Sequence, residues 1–525
     1  MLIPFSGAML GLLLAALDQT IVATALPRIV ADLHGLNHLS WVVTAYLLTS
    51  TVTVPLYGKL SDIYGRRRLF IVAISLFLVG SALCGAAQTM DQLVAFRALQ
   101  GLGAGGLIPL TFVVIGDLFS PRERGRFQGL TGAVWGLAAV AGPLLGGVLT
   151  DSASWRWIFY INLPLGGLAL VVIATTMHLP FERREHAIDY LGTVLLTLGT
   201  VALLLAAVWG GQSYPWSSGE ILGLLASGVG LLLVFLAVEL RAAEPILPLA
   251  LFRNSIFSVA NTAALVVGAV LYGALIYIPL FVQGVIGGSA TNSGVVLIPL
   301  SFGWVATSVI SGQLISRTGR YRIFPIAGSL LLVLGFWLLT RLDSRATSLA
   351  TTRDMLVIGL GLGLMYQTYV LAVQNAVPAR EMGIATSSVQ FSRSIGGTFA
   401  VAVLGGILSI RLRRELASHL GGAARTVNPQ LLLQSPSATR HLSTRLVEGV
   451  RLSLALSLHT VFEVCLPLAA VTVLTALMLR ELPLRTYTWS EAGAETRAPR
   501  APTGGSPAPT PVGHEDGRSP AAPSE

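Results

Sequence analysis

Charge is what this chain has least of. Only 11% of its 525 residues are Asp, Glu, Lys or Arg, against about 25% in soluble domains, and the mean hydropathy is +0.73. A soluble globule is excluded, and the chain reads as a polytopic membrane protein. Lysine is almost missing: Lys59 stands alone, so arginine carries the formal net charge of +9. The arginines sit in short loops between apolar runs, which is how a membrane protein orients itself and not how a nucleic-acid-binding face is built. Cysteine is limited to Cys84 and Cys465, each inside an apolar run. Neither has a partner at metal-ligand or redox spacing, so both read as buried small hydrophobes. The eight histidines are scattered, mostly at helix ends and in loops. Catalytic clusters and a phosphate-binding loop suited to ATP are both missing, which argues against an enzyme or a primary pump. No metal is expected.

What the chain has in quantity is long apolar stretches. A bilayer core of about 30 Å needs about 20 apolar residues per helix. Fourteen segments pass that test, at about residues 5–27, 39–58, 69–88, 93–116, 127–150, 157–178, 190–209, 219–239, 257–281, 293–314, 323–341, 354–376, 385–410 and 456–479. The first is too long for a secretory leader, lacks a basic lead and carries Asp18, so it is taken as a span.

Between the second and third spans lies a charged knot, Gly58-Lys59-Leu60-Ser61-Asp62-Ile63-Tyr64-Gly65-Arg66-Arg67-Arg68. A second copy, Gly312 to Arg322, keeps both glycines, the leucine and two arginines at identical spacing. Pro121-Arg122-Glu123-Arg124-Gly125 before span 5 is echoed by Pro378 to Gly383 before span 13. The two offsets, 254 and about 258 residues, agree. The chain therefore reads as a duplication of a six-helix half, with spans 7 and 8 inserted between the copies. The expected units are residues 1–180, an inserted pair with linkers at 181–254, a second half at 255–483, and a Pro/Ala/Gly/Ser-rich disordered tail at 484–525. Arginine-rich loops after spans 2, 4 and 6 place that side, and both termini, in the cytoplasm. The stretch Arg411 to Arg451 holds seven arginines yet falls on the outer side in this count, and it is expected to form a small amphipathic element.

These motifs resemble the major facilitator superfamily, and within it the fourteen-span drug:proton antiporter branch, over about residues 5–483. The Gly58 to Arg68 knot is similar to the superfamily's cytoplasmic signature. Arg97-Ala98-Leu99-Gln100-Gly101-Leu102-Gly103 resembles its helix 4 motif. Gly132, Gly136 and Gly142-Pro143-Leu144-Leu145-Gly146-Gly147 resemble the helix 5 antiporter motif. Leu17-Asp18-Gln19-Thr20-Ile21-Val22 with Ala25-Leu26-Pro27, and Trp155 to Pro164, look like the branch's helix 1 and helix 6 signatures. The resemblance implies an all-α, fourteen-helix (6 + 2 + 6) cell-membrane protein engaged in multidrug efflux and antibiotic resistance. It would use no cofactor, draw on the proton gradient, and work as a monomer in the bilayer on small hydrophobic or amphipathic substrates, without nucleic acid.

Within that frame Asp18 and Arg97 are the proton-coupling candidates. At 1.5 Å per residue, Asp18 rises about 20 Å from Phe5, and Arg97 lies about 9 Å below the opposite face. The two charges share a depth. Burial raises a carboxyl pKa and a neighbouring guanidinium lowers it, so a movement that changes such a contact can load and release a proton. Gly58, Asp62, Gly65, Arg66 and Asp117 are expected to form a cytoplasmic gate. In it Arg66 reaches Asp117, while Asp62 seeks the N-terminus of a helix in the other half, helix 11 by the resemblance. Ser316 replaces Asp62 in the second copy, so the latch should be asymmetric. Gly132, Gly136, Gly142, Pro143 and Gly146 are read as a packing track and seal.

Tyr46, Trp135, Trp304, Tyr366, Gln367, Gln390 and Arg393 are candidates for a substrate pocket, with Gln374 and Asn375 as further polar groups. Some drug exporters of the branch carry extra acids in helices 10 and 13. Here helix 10 has none and helix 13 has Arg393, which weighs against dicationic substrates. The competing readings are export of one endogenous lipid, siderophore or antibiotic and, from another class, a transport-dead membrane sensor or a membrane enzyme.

Overall fold

The computed structural model describes residues 1–33, 39–178, 189–211, 214–242, 244–287, 290–343, 346–420 and 444–484. The tail from residue 485 and the centre of the arginine-rich stretch, 421–443, lie outside the described residues. Fourteen long helices are described: α1 Leu2–Leu33, α2 Leu39–Tyr64, α3 Arg66–Ala86, α4 Met90–Leu118, α5 Pro121–Ser152, α6 Trp157–Thr176, α7 Tyr190–Trp209, α8 Gly219–Glu239, α9 Ser255–Phe281, α10 Ala290–Thr318, α11 Ile323–Leu339, α12 Ser348–Ala376, α13 Met382–Leu420 and α14 Thr444–Met478. Among the described residues twelve candidate spans are long and apolar enough to cross a bilayer. The threonine- and serine-rich α2 and the 17-residue α11 are not among them.

Local chemistry sets several of the helix starts. Thr89 accepts a hydrogen bond from Gln92 N to cap α4, and Thr347 and Asn254 do the same for α12 and α9. Ser120 and Glu123 form a reciprocal capping box at α5, with Pro121 at its first position. Such caps satisfy amide donors that a helix start leaves without partners. The expected span at 385–410 is extended at both ends, to Met382 and Leu420. Leu412 and Leu416 are buried while Arg411, Arg413 and Arg414 stay exposed. The first part of the arginine-rich stretch is thus an amphipathic continuation of α13, not a separate element.

Helices α1 to α6 pack together, as do α9 to α14, and the two sets meet along α2 with α13 and along α5 with α10. The inserted α7 and α8 pair with each other, and α7 leans on α2 and α13. Their small core of Leu195, Leu196, Phe235 and Ile246 packs against Leu56 and Phe391. Large apolar side chains lie exposed around the bundle, among them Val72, Val79, Leu137, Leu144, Leu233 and Val234. In water such a surface would be an aggregation hazard; facing hydrocarbon it costs nothing.

Candidate functional site

The interior of the first set holds a closed polar cluster. Asp18, fully buried on α1, accepts from Arg97 Nη1 at 2.8 Å through Oδ2. Its other oxygen accepts from Gln100 Nε2 at 2.8 Å and from Asn162 Nδ2 at 3.2 Å. Arg97 also donates to Gln100 Oε1 (2.7 Å) and to the Val42 carbonyl (3.2 Å), with the Tyr46 ring 4.0 Å below its guanidinium. Asn162 is held in turn by Ser81 Oγ at 3.0 Å. Removing one partner from a buried ion pair costs about 3–5 kcal/mol, because the other charge is left uncompensated. Cys84 and Cys465 are both buried and free, and Cys84 Sγ lies 3.7 Å from Gln100 Oε1.

Gln100 and Asn162 were not singled out as site residues from sequence, although both stand inside the quoted motifs. The signal was available for Gln100: three residues after Arg97 it shares the same helix face. Asn162 comes from a helix distant in sequence, and only packing brings it to Asp18.

At the arginine-rich face the two copies of the charged knot build two matching seams. The two second glycines, Gly65 and Gly319, have φ of 91° and 73°, a left-handed backbone that a side chain would strain. The two first glycines are packed against the opposite half. A β-carbon on Gly58 would lie 2.6 Å from Ser387 Cβ and 2.8 Å from the Gly383 carbonyl oxygen, and one on Gly312 would lie 3.0 Å from the Gly125 carbonyl carbon. Gly125 and Gly383 are themselves the counterparts in the repeated Pro-to-Gly segment.

Polar contacts follow the same pseudosymmetry. Asp62 accepts from the Gly383 and Ile384 amides at 3.0 and 2.9 Å, at the start of α13. In the other seam Ser316 Oγ accepts from the Arg126 amide at 3.0 Å. One seam thus places a carboxylate on a helix N-terminus and the other a hydroxyl, an asymmetric latch. The receiving helix is α13, not the eleventh, because the inserted pair moves every later helix down by two. Arg66 pairs with Asp62 and, through Nε, with Asp117 Oδ2 at 3.0 Å.

Further clamps cross this face that the sequence did not single out. Arg122 donates to the Ser316 and Arg317 carbonyls at the end of α10. Buried Arg124 bonds the Phe119, Gly116 and Gln374 carbonyls. Gln374 accepts from Gln128 and donates to Phe112 O and Thr386 Oγ1. Gln374 is therefore part of this closure, not of a mid-membrane pocket. Asn375, which donates to the Pro483 carbonyl at 3.3 Å, likewise lies at the end of its helix. The Tyr46 ring lies against Arg97 in the ion-pair cluster.

The glycine track on α5 divides in two. Gly132 and Gly136 face Ser308 and Val305 of α10, whereas Gly142 faces Thr20 of α1, whose hydroxyl donates to the Ala138 carbonyl at 3.0 Å. Gly146 is buried and Pro143 lies within the same helix, while a side chain at Gly147 would meet open space. Thr20 is two residues from Asp18, so this end of the track packs against α1 close to the buried ion pair. Gly142→Leu is expected to displace α1 and lower gradient-driven transport about tenfold, the effect of 1.4 kcal/mol within the usual 1–3 kcal/mol for overpacking. Initial uptake rates in vesicles with matched protein levels check this.

Of the remaining pocket candidates all but Trp135, which is on α5, lie in the second half. Arg393 stacks on the Tyr366 ring at 3.4 Å, donates to Gln390 Oε1 at 2.9 Å and to the Tyr366 carbonyl at 3.0 Å. Trp304 lies 4.8 Å from the same ring, centroid to centroid. Gln367 donates across the halves to Thr131 at 2.9 Å, and Trp135 packs among partly buried apolar groups on α5.

Two helix sets joined by glycine seams, closed by charge at one face and holding a charge pair in their interior, have the organisation of a solute carrier. The molecule is an integral membrane transporter. Residues 8–401 match the family model described as Major Facilitator Superfamily, and the chain belongs to that family. It is 41% identical to the multidrug transporter protein MdtP of Bacillus subtilis, with 91% of this chain and 93% of the relative covered. It is 37% identical to multidrug resistance protein 3 of the same organism, over 89% and 93%. The structure is similar to that of the human organic anion transporter MFSD10, with a TM-score of 0.61 and 15% identity, covering 91% of this chain and 99% of that one. At that identity the structural likeness speaks for the fold alone.

Proposed function

We propose that this transporter exports hydrophobic or amphipathic compounds across the cell membrane by proton antiport. The observation that carries the reading is the buried Asp18–Arg97 pair with its Gln100 and Asn162 donors. In this reading Asp18 takes a proton from the outer side, and Arg97 holds the carboxylate when the proton leaves. The seams at Gly58 and Gly312 close the cytoplasmic face while the outer face is open. Gly65 gives the knot its turn, and Arg66 with Asp117 ties it to α4. Residues 1–180 and 255–483 act as the two halves, with 181–254 as the inserted pair, in a monomer of fourteen crossings with both termini in the cytoplasm. No cofactor is needed: each proton entering contributes about 2.3 kcal/mol per 100 mV of membrane potential, plus the pH difference.

Inverted membrane vesicles energised with an acid interior test this directly. Uptake across a panel of fluorescent dyes is expected to depend on the gradient and to stop when a protonophore is added. No gradient-dependent uptake of any dye would overturn the reading.

A further inference from the structure

Among the described residues Arg393 is a cation with no ion-pair partner in the second half. It is buried, about 16 Å along α13 from Met382. Among the described residues every ion pair lies elsewhere. Its neighbours are neutral: Gln390 and the Tyr366 carbonyl accept from its two terminal nitrogens, and the Tyr366 ring lies against its face. These contacts spread the charge without cancelling it. In the first half Arg97 is cancelled by Asp18, so Arg393 leaves the mid-membrane interior with a net positive charge when Asp18 is ionised. A buried guanidinium is costly in such surroundings and marks a substrate or ion pathway by default.

The unused hydrogen-bonding capacity nearby has a matching sign. Arg393 Nε is buried without a partner, and so is Trp304 Nε1, on the ring tilted against Tyr366. Trp135 Nε1 is a third donor buried without a partner, on α5 one turn after Thr131, which accepts from Gln367. Gln367 Oε1 is the one unpartnered acceptor in this group. Three donors, one of them on a fixed cation, set among aromatic rings, are complementary to a flat apolar body bearing an oxyanion. Guanidinium is suited to that role, since its planar fork matches a carboxylate.

We propose that Arg393, with the Trp304 and Trp135 indoles and the Tyr366 ring, forms an oxyanion-recognition site, and that the preferred substrates are flat apolar molecules carrying a single carboxylate. The proposal rests on the efflux reading but fails separately from it. Binding of 1-pyrenebutyrate, 1-pyrenebutanol and 1-pyrenemethylammonium to protein in nanodiscs, with empty nanodiscs as the blank, tests the site. The carboxylate is expected to bind at least tenfold more tightly than the alcohol and more tightly still than the cation. Arg393→Gln should abolish that preference while leaving alcohol binding in place, and Arg393→Lys, which keeps the charge but not the fork, should retain part of it. Wild-type protein that binds the alcohol as well as the carboxylate overturns the site, even if Arg393→Gln does not fold. So does a folded Arg393→Gln variant that keeps the tenfold preference. Charge-selective binding without gradient-driven uptake of any probe supports the site and overturns the efflux reading. Gradient-driven uptake without charge selectivity does the opposite.

Discussion

Replacing Asp18 by Asn is expected to reduce proton-driven uptake into inverted vesicles to the level of vesicles lacking the protein. The substitution is nearly isosteric, and a side-chain oxygen at the Oδ1 position still accepts from Gln100 and Asn162. What is lost is the carboxylate charge and the acceptor that Arg97 faces at 2.8 Å. Since Arg97 is then a buried cation without its partner, the variant also loses stability. The double variant Asp18→Asn/Arg97→Gln separates the two effects. It removes the surplus charge and is expected to restore protein yield without restoring coupled transport. Downhill substrate counterflow, which needs no proton movement, should persist in it. Undiminished gradient-driven uptake by Asp18→Asn would remove this residue from the coupling mechanism.

The second large effect is expected at Gly58. Any side chain there enters the space of Ser387 and of the Gly383 carbonyl, so Gly58→Val blocks α2 from reaching α13. The Asp62 contacts with the Gly383 and Ile384 amides depend on that approach. A cost of about 1–3 kcal/mol falls on the closed arrangement alone, because the seam is absent once the halves part. Transport is expected to fall more than tenfold in protein that still assembles. A reporter cysteine introduced as Ser387→Cys, buried when the seam is closed, should react faster with a membrane-impermeant maleimide applied from the arginine-rich side. Gly230→Val, on α8 where an added side chain meets open space, serves as the control with normal transport. Equal maleimide rates with and without Gly58→Val would show that this glycine does not govern closure.

Much of the architecture is legible in the amino-acid sequence. The apolar runs locate the helices because a span must be both long and apolar, and few other uses of the chain demand that. The repeat of Gly58 to Arg68 at Gly312 to Arg322 predicts two similar seams, since identical spacing puts the same residue types on the same helix faces. Asp18 and Arg97 were legible as a pair because charge is rare inside a bilayer and simple counting puts them at one depth. Ends were less legible. The continuation of α13 to Leu420 was missed because its charged face hides the buried Leu412 and Leu416 stripe from a hydropathy count.

The sequence by itself determined the membrane class, the number of long helices, the repeated charged motif and the identity of the central charge pair, because these follow from composition, periodicity and spacing along one chain. Tertiary structure decided the partners. Gln100 and Asn162 close the Asp18 cluster, Gln374 belongs to the closure and not to a pocket, and Gly142 serves α1 while Gly132 and Gly136 serve α10. It also decided that Arg393 is left with neutral neighbours while Arg97 is not. The physical reason is the same in each case: hydrogen bonds and ion pairs act over about 3 Å between residues far apart in the chain, and only the packing of helix on helix sets which side chains come within that reach.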